Sequence, residues 1–363
     1  MSNHTYQVII AGAGPAGLAA ALTLSAYKIS FCIIDANISA VPKLGDALPP
    51  NVKPLLQQLG ILDLLNHPKH IPYYGNKIIW GTNNIHEKHF INNVHSHGFL
   101  TNRLYFEHQL RQVIQNQSIS FYNGYQLKKV LNEEDLVEVQ IQKDSEHITL
   151  TAQYIIDATG RKASVCRHLG IHKKQIDHQF TISFWHQLQQ PIPRQIWVEA
   201  TENGWWYISP TSTGLVNCMF FTLKGLIPQK NEITPFLKTE LDKTHYIHKI
   251  IQPNKEELLN HKIMPSGTSY LKQPYGKNWL AIGDAAFSYD PISSYGITSA
   301  LATGFYGAHA IASKIANEEE AFLTYHHILE NGNRAYFQKL GHQYNIEKRW
   351  KNSYYWKNRF AQL

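Results

Sequence analysis

Residues 6–35 read YQVIIAGAGPAGLAAALTLSAYKISFCIID, and the fold turns on them. An apolar run, Tyr6–Ala11, has strand character. A glycine turn follows, then an Ala/Leu-rich helix from about Pro15 to Ala26. A second apolar strand, Ile29–Ile34, ends at an acid, Asp35. That order is a complete βαβ unit. The turn between strand and helix is GAGPAG at 12–17. Gly12 permits the tight turn, Gly14 lets backbone approach a pyrophosphate, and Gly17 lets helix and strand pack closely. Pro15 suits a first helical turn, whose free N–H groups and dipole favour an anion. Asp35 lies 18 residues beyond Gly17, where a carboxylate can bind a ribose diol. Gly12, Gly14, Ala16, Gly17 and Asp35 are therefore expected at a dinucleotide. The acid disfavours a 2′-phosphate, so FAD or NAD fits and NADP fits poorly.

The choice between the two comes from the far end of the chain. Residues 279–299 read WLAIGDAAFSYDPISSYGITS. Trp279–Ile282 is an apolar strand able to join the first sheet, and Gly283-Asp284 follows it. A carboxylate there can hydrogen-bond a polyol. FAD has a ribityl chain and NAD has none. Gly296 opens a second helix whose N–H groups suit a ring edge that becomes anionic on reduction. Asp290-Pro291 fixes the loop between.

Composition bounds the rest. With 363 residues, 43% apolar and 17% charged, the chain is globular and long enough for two domains, or one domain with a large insertion. An aromatic share of 12% suits a lined cavity as well as an ordinary core. The net charge of +7 is spread along the chain and does not point to nucleic acid. The 20 histidines have no metal-ligand spacing, so no metal is expected. Cys32, Cys166 and Cys218 form no CxxC, as in a reducing compartment. The start MSNHTYQVII lacks a basic and apolar leader, and no run reaches 18 apolar residues. A cytoplasmic location without a transmembrane span is expected.

The α/β pattern is interrupted. A short helix is expected at Val52–Leu59, and residues 61–98, rich in Asn, His and Gly, read as irregular. A helix follows at Arg103–Gln115, then strands near 119–130, 136–143 and 154–158. QFTISFWHQL, RQIWVEA, GWWYISPT and LVNCMFFTL, between 179 and 223, read as antiparallel strands, and 232–260 as helical. The expected fold is α/β: an FAD-binding three-layer Rossmann-like domain (1–75, 99–170, 261–325), an inserted antiparallel-sheet substrate domain (76–98, 171–260) and a helical C-terminus (326–363). The basic, aromatic tail RWKNSYYWKNRF suits a lid over the site, a docking or membrane surface, or a helix with its cations snorkelling to solvent.

GAGPAG at 12–17, NRLYFEHQLR at 102–111, DATGRKASVCRHLG at 157–170 and GDAAFSYDPISSYG at 283–296 together resemble the FAD-dependent monooxygenases, with the flavin-dependent halogenases and geranylgeranyl reductases beside them. The resemblance implies that Arg103 contacts FAD near the pyrophosphate. It implies that Gly283 and Asp284 hold the ribityl or phosphate side. Gly296 and Ile297 would lie at the pyrimidine edge, and Pro291 would line the reaction cavity. Aromatic hydroxylases carry Asp-Gly where this chain has Thr159-Gly160, which makes reductase-supplied flavin as plausible a donor as NAD(P)H; molecular oxygen is the oxidant.

Within that superfamily, KLGDALPPNVKPLLQQLGI at 43–61 with GWWYISP at 204–210 resembles flavoproteins that mature the cysteine tryptophylquinone cofactor of lysine and glycine oxidases. Asp46 stands where those proteins have Glu. The implied substrate is a tryptophan side chain in the precursor of a quinone-cofactor amino-acid oxidase. The implied catalytic residues are Asp46, Trp206 and Pro291, with Asp46, Asp290 and His186 as candidate acceptors for the indole N–H. Halogenases hold hypohalite on a lysine. Here the matching position falls near Tyr73, with Lys77 out of register. The alternatives are a small-molecule aromatic hydroxylase, a halogenase, an isoprenoid reductase, or an interaction protein that retains its flavin.

Overall fold

The computed structural model describes residues 4–41, 43, 45–117, 119–133 and 135–362. Strand β1 (His4–Ala11), helix α1 (Pro15–Ala26) and strand β2 (Phe31–Asp35) form the expected unit, with β1 and β2 parallel. Helix α2 spans Arg103–Gln115 and is capped by Asn102, whose side chain accepts from Tyr105 N. The long strand β3 (Glu146–Asp157) pairs in parallel with β1 along its whole second half. Its other edge is divided. Residues 146–152 pair with Val137–Lys143, the neighbour of Gln126–Asn132 in an antiparallel meander. Residues 155–157 pair in parallel with β4 (Trp279–Ala281). The far strand of the quoted stretch thus lies in the same sheet as the first.

Helix α3 (Gly296–Ile315) packs along α1, because small residues bring the backbones together. A Cβ on Gly304 would lie 2.2 Å from Ala16 O. The two glycine-led helices are therefore neighbours with their N-termini at the same sheet edge, where ligands bind in open α/β sheets. This is the expected three-layer Rossmann-like domain.

The second sheet has seven strands, in the order Lys262–Pro265, Gln179–Gln187, Leu215–Leu223, Gly204–Pro210, Ile196–Thr201, Gly75–Ile79, His86–His89. The four central aromatic strands are those read from sequence. Lys262–Pro265 joins them beyond the expected limit at 260, and Ile196–Thr201 pairs with Gly75–Ile79 in parallel. Residues 61–98 are not irregular throughout: they hold Ile71–Tyr73, Gly75–Ile79 and His86–His89, and their last residue opens Gly98–Leu100. HEKH at 86–89 is exposed throughout, so no apolar alternation marks it; pairing with Gly75–Ile79 makes it a strand. Residues 232–260 are helical as read, in three short helices, Ile233–Asp242, Ile247–Ile250 and Lys255–Leu259.

Each face of this sheet has its own cover. Trp206, Ile208, Cys218, Phe220 and Phe184 pack under Ile233–Asp242 and its neighbours. Trp205, Tyr207, Met219 and Phe221 face the other way, against Trp80, helix α4 (Ala321–Ile346) and helix α5 (Tyr354–Gln362). Trp356 Nε1 donates to Thr201 O at 2.9 Å, and Trp80 Nε1 to Gln343 O at 2.8 Å. The tail is thus part of a core, with Tyr355, Trp356 and Arg359 fully buried, while Lys351 and Lys357 stay exposed. Among the described residues, no helix is long and apolar enough to cross a membrane.

Candidate active site

The glycines of GAGPAG divide by what surrounds them. A Cβ on Gly12, whose φ is +107°, would lie 2.3 Å from Ala158 O. One on Gly17 would lie 1.9 Å from Gly12 O. Both are closed by protein. Beside Gly14 the nearest atom is Lys43 Nζ at 3.6 Å. Gly14 is also the N-cap of α1, which no side chain caps. Open space therefore meets unpartnered N–H groups there, the setting that favours a phosphate.

Two cations flank this space. Lys43 Nζ lies 2.6 Å and Arg103 Nε 2.5 Å from the carboxylate of buried Glu107. Arg103 also donates to Gly45 O at 3.1 Å. Burial opposes ionisation of Glu107, but Arg103 and Lys43 outweigh it and hold the carboxyl below its usual range. The sequence marked Arg103. Glu107 was legible as its i+4 partner on α2, whereas Lys43, on a loop, carried no signal. Leu44, inside the quoted KLGDALPP motif, lies outside the described residues.

Asp35 closes β2. Its Oδ2 accepts from Ala13 N at 2.7 Å and from Arg111 at 2.8 Å, and its Oδ1 from Asn37 N at 2.7 Å. Arg111, one turn beyond Glu107, is a partner the sequence did not single out. At the other side, Gly283 (φ +56°) sits against Ala16, whose Cβ would be 2.7 Å from a Cβ placed there. Ala16 thus contributes by being small. Asp284 is 34% exposed at its side chain, with Arg161 Nε 3.6 Å away. Its backbone O accepts from Lys173 Nζ at 2.5 Å and Ser288 Oγ at 3.0 Å. Burial pushes Lys173 down to about 8, against the opposing pull of Asp284. Around Gly296 nothing lies within 4 Å of a Cβ position, and α3 likewise has no side-chain cap. Ile297 is buried in the core, so only its backbone faces this opening. Thr159 has a local task. Its hydroxyl donates to Asp157 at 2.6 Å and accepts from Ser164 N at 2.6 Å, closing the turn that carries Arg161.

Asp46 is buried on the inner face of the second sheet. Oδ1 accepts from Tyr207 Oη at 2.8 Å, and Oδ2 from Ser209 Oγ at 2.5 Å and Asn217 Nδ2 at 3.4 Å. Burial, then the Asp46 charge, pushes the Tyr207 and Tyr73 phenols up. Backbone pairing joins this loop to the cofactor side: Ala47–Leu48 pairs with Gly98–Leu100, and Asn51 Nδ2 donates to Tyr295 Oη at 2.7 Å, one residue before Gly296.

Three expected residues stand elsewhere. Trp206 points to the outer face, between Phe184 and Phe220, with Nε1 donating to Glu240 O at 3.2 Å. Strand parity sends Trp205, Tyr207 and Ser209 inward instead. His186 shares that outer face and pairs with Glu257 at 3.0 Å. Asp290 is buried and paired with Arg359, so it is not free to accept an indole N–H. Pro291 heads the turn Pro291–Ser293 that Asp290 caps through Ile292 N. Lys77 lies on the outer face, 3.1 Å from Glu87 and 4.9 Å from the centre of the Trp197 ring.

The FAD binding domain family matches residues 5–335, and the chain belongs to it. The putative FAD-dependent oxidoreductase LodB of Marinomonas mediterranea is 22% identical over 365 residues, covering 99% of this chain and 98% of that protein. The myxobacterial chondrochloren halogenase CndH is 18% identical, with a TM-score of 0.88 over 98% of this chain and 86% of that one. The peptidyl tryptophan dihydroxylase QhpG is 17% identical, with a TM-score of 0.79 over 98% and 78%. The chain thus carries an FAD binding domain in a fold shared with halogenase and tryptophan dihydroxylase structures, and its cradle fits FAD. Two uncapped helix N-termini open onto free space at Gly14 and Gly296, with two cations at one end and a part-exposed carboxylate between.

Proposed function

We propose that this flavoenzyme is a monooxygenase that hydroxylates a tryptophan side chain in the precursor of a quinone-cofactor oxidase. Support for the class of substrate comes from full-length similarity to LodB and the shared fold with QhpG, a peptidyl tryptophan dihydroxylase. The observation that carries the reading is the buried Asp46 carboxylate, aimed inward by Tyr207 and Ser209, while Lys77 turns away. A carboxylate repels halide and hypohalite. It suits a donor that gains positive charge as it reacts.

Bound FAD supplies electron transfer and oxygen activation, with electrons from NAD(P)H or reduced flavin. Gly14, Lys43 and Arg103 would hold its pyrophosphate, Asp35 and Asp284 its hydroxyls, and the α3 N-terminus its pyrimidine edge. Asp46 has acceptor capacity for about four hydrogen bonds and receives three, so one remains for an indole N–H. Accepting that proton orients the ring and stabilises the positive charge that develops on nitrogen as oxygen is added. Tyr207 and Ser209 keep the carboxylate from rotating away.

The test is mass spectrometry of the precursor's tryptophan peptide after co-expression with the wild type or with Asp46→Asn. The wild type should add oxygen mass to that tryptophan. D46N should retain FAD yet add at least about tenfold less, the worth of one charge-assisted hydrogen bond. An unmodified tryptophan with the wild type, alongside turnover of free phenols or indole, would make the protein a small-molecule hydroxylase.

A further inference from the structure

The last helix is tied to the cradle through Arg359, with Tyr355 beside it on Gln179. Arg359 on α5 is fully buried and stacks 4.4 Å from the centre of the Tyr344 ring. Its guanidinium reaches two buried carboxylates: Nη1 lies 2.8 Å from Asp177 Oδ2, and Nη2 donates to Asp290 Oδ2. Tyr344 Oη donates to the same Asp290 oxygen at 3.0 Å, and Asp290 N donates to Tyr336 Oη at 2.8 Å. Asp177 Oδ2 also accepts from Thr268 N at 3.1 Å.

Both arms end beside the acceptors of Arg161. That residue donates to Gly267 O at 2.6 Å and Tyr289 O at 3.3 Å, and pairs with Asp284. Gly267 adjoins Thr268, and Tyr289 adjoins Asp290. A helix that only needed holding down could be held by apolar contacts, without the desolvation cost of three buried charges. A planar fork adds direction: it fixes two separate segments relative to each other.

We propose that Arg359 is a positioning residue of the active site: through Asp290 it fixes the turn between Asp284 and Gly296, so that the C-terminal helix sets the geometry of the cofactor cradle. This rests on the FAD-family site and not on which substrate is oxidised.

The test compares the holoprotein with Arg359→Lys, Asp290→Asn and the double variant. Asn at 290 can still cap Ile292 through Oδ1, while its Nδ2 in place of Oδ2 removes the acceptor that Arg359 and Tyr344 share. Amide exchange in residues 288–296 should quicken by about tenfold in either single variant, as expected for losing a charged hydrogen bond. The double variant should be no worse than the singles, because the pair acts as one unit. The visible flavin spectrum should shift, and more of the reductant consumed should end as hydrogen peroxide. If R359K does not fold, D290N carries the test, since Arg359 then keeps Asp177. Unchanged exchange at 288–296 and an unchanged flavin spectrum, with faster exchange confined to 354–362, would reduce Arg359 to a packing role. None of these readouts depends on the tryptophan substrate.

Discussion

One methyl group, placed at three positions of GAGPAG, should have opposite fates. At Gly17 the added Cβ would sit 1.9 Å from Gly12 O, with Ala158 Cβ at 3.2 Å. Neither neighbour is a flexible side-chain end. At Gly12 the Cβ would sit 2.3 Å from Ala158 O, on a backbone with φ +107° that costs a non-glycine residue a further 1–3 kcal/mol or so. Overpacking adds about 1–3 kcal/mol, so each of these apoproteins should lose roughly 3 kcal/mol. For a chain of this size that is a fall of roughly 4 °C in Tm. At Gly14 the backbone is extended (φ −83°, ψ −176°) and the nearest atom is the mobile Lys43 Nζ at 3.6 Å. Gly14→Ala should leave apoprotein stability within about 1 kcal/mol. Its methyl instead fills the space a pyrophosphate would enter. Losing one or two charge-assisted hydrogen bonds should weaken FAD by about tenfold to several hundredfold. Apoprotein melting and FAD titration by flavin fluorescence separate the two effects. If G14A melted as low as G17A, or bound FAD like the wild type, Gly14 would not be the open side of the cradle.

Trp206→Ala should cost about 3–5 kcal/mol in denaturant unfolding, as a buried aromatic of the outer face, while Tyr207→Phe should cost far less stability yet lower product formation by loosening Asp46. The folded state lowers Lys173 to about 8 from 10.5, so it binds that proton less tightly than the unfolded chain does. The wild type should therefore gain stability relative to Lys173→Met as pH rises from about 8 to about 10.5, and a Tm difference flat over that window would refute the assignment. The lowered pKa of Glu107 acts with the same sign in a more acidic window: its stabilisation is present above the unfolded value of 4.5 and is lost as pH falls through the lower folded value. Glu107→Gln should cost roughly 2 kcal/mol near neutral pH and little in acid, read from acid unfolding curves.

What the chain order alone determined is local and periodic. The βαβ unit, its glycines, Asp35, Asp284 and the four aromatic strands follow from spacing, because steric and pleat rules act over a few residues. The same parity, applied to GWWYISP, separates Trp206 from Tyr207 but cannot say which of the two faces the cofactor side. That depended on where α4 and α5 packed. The strand HEKH at 86–89 was invisible because its pairing energy comes from a partner strand and not from its own side chains. Lys43, Arg111 and Arg359 were ordinary cations in the sequence. Tertiary structure gave them Glu107, Asp35 and the Asp177–Asp290 pair, across 64, 76, 182 and 69 residues of chain. Burying an ion requires a partner at contact distance, and only folding brings such partners together.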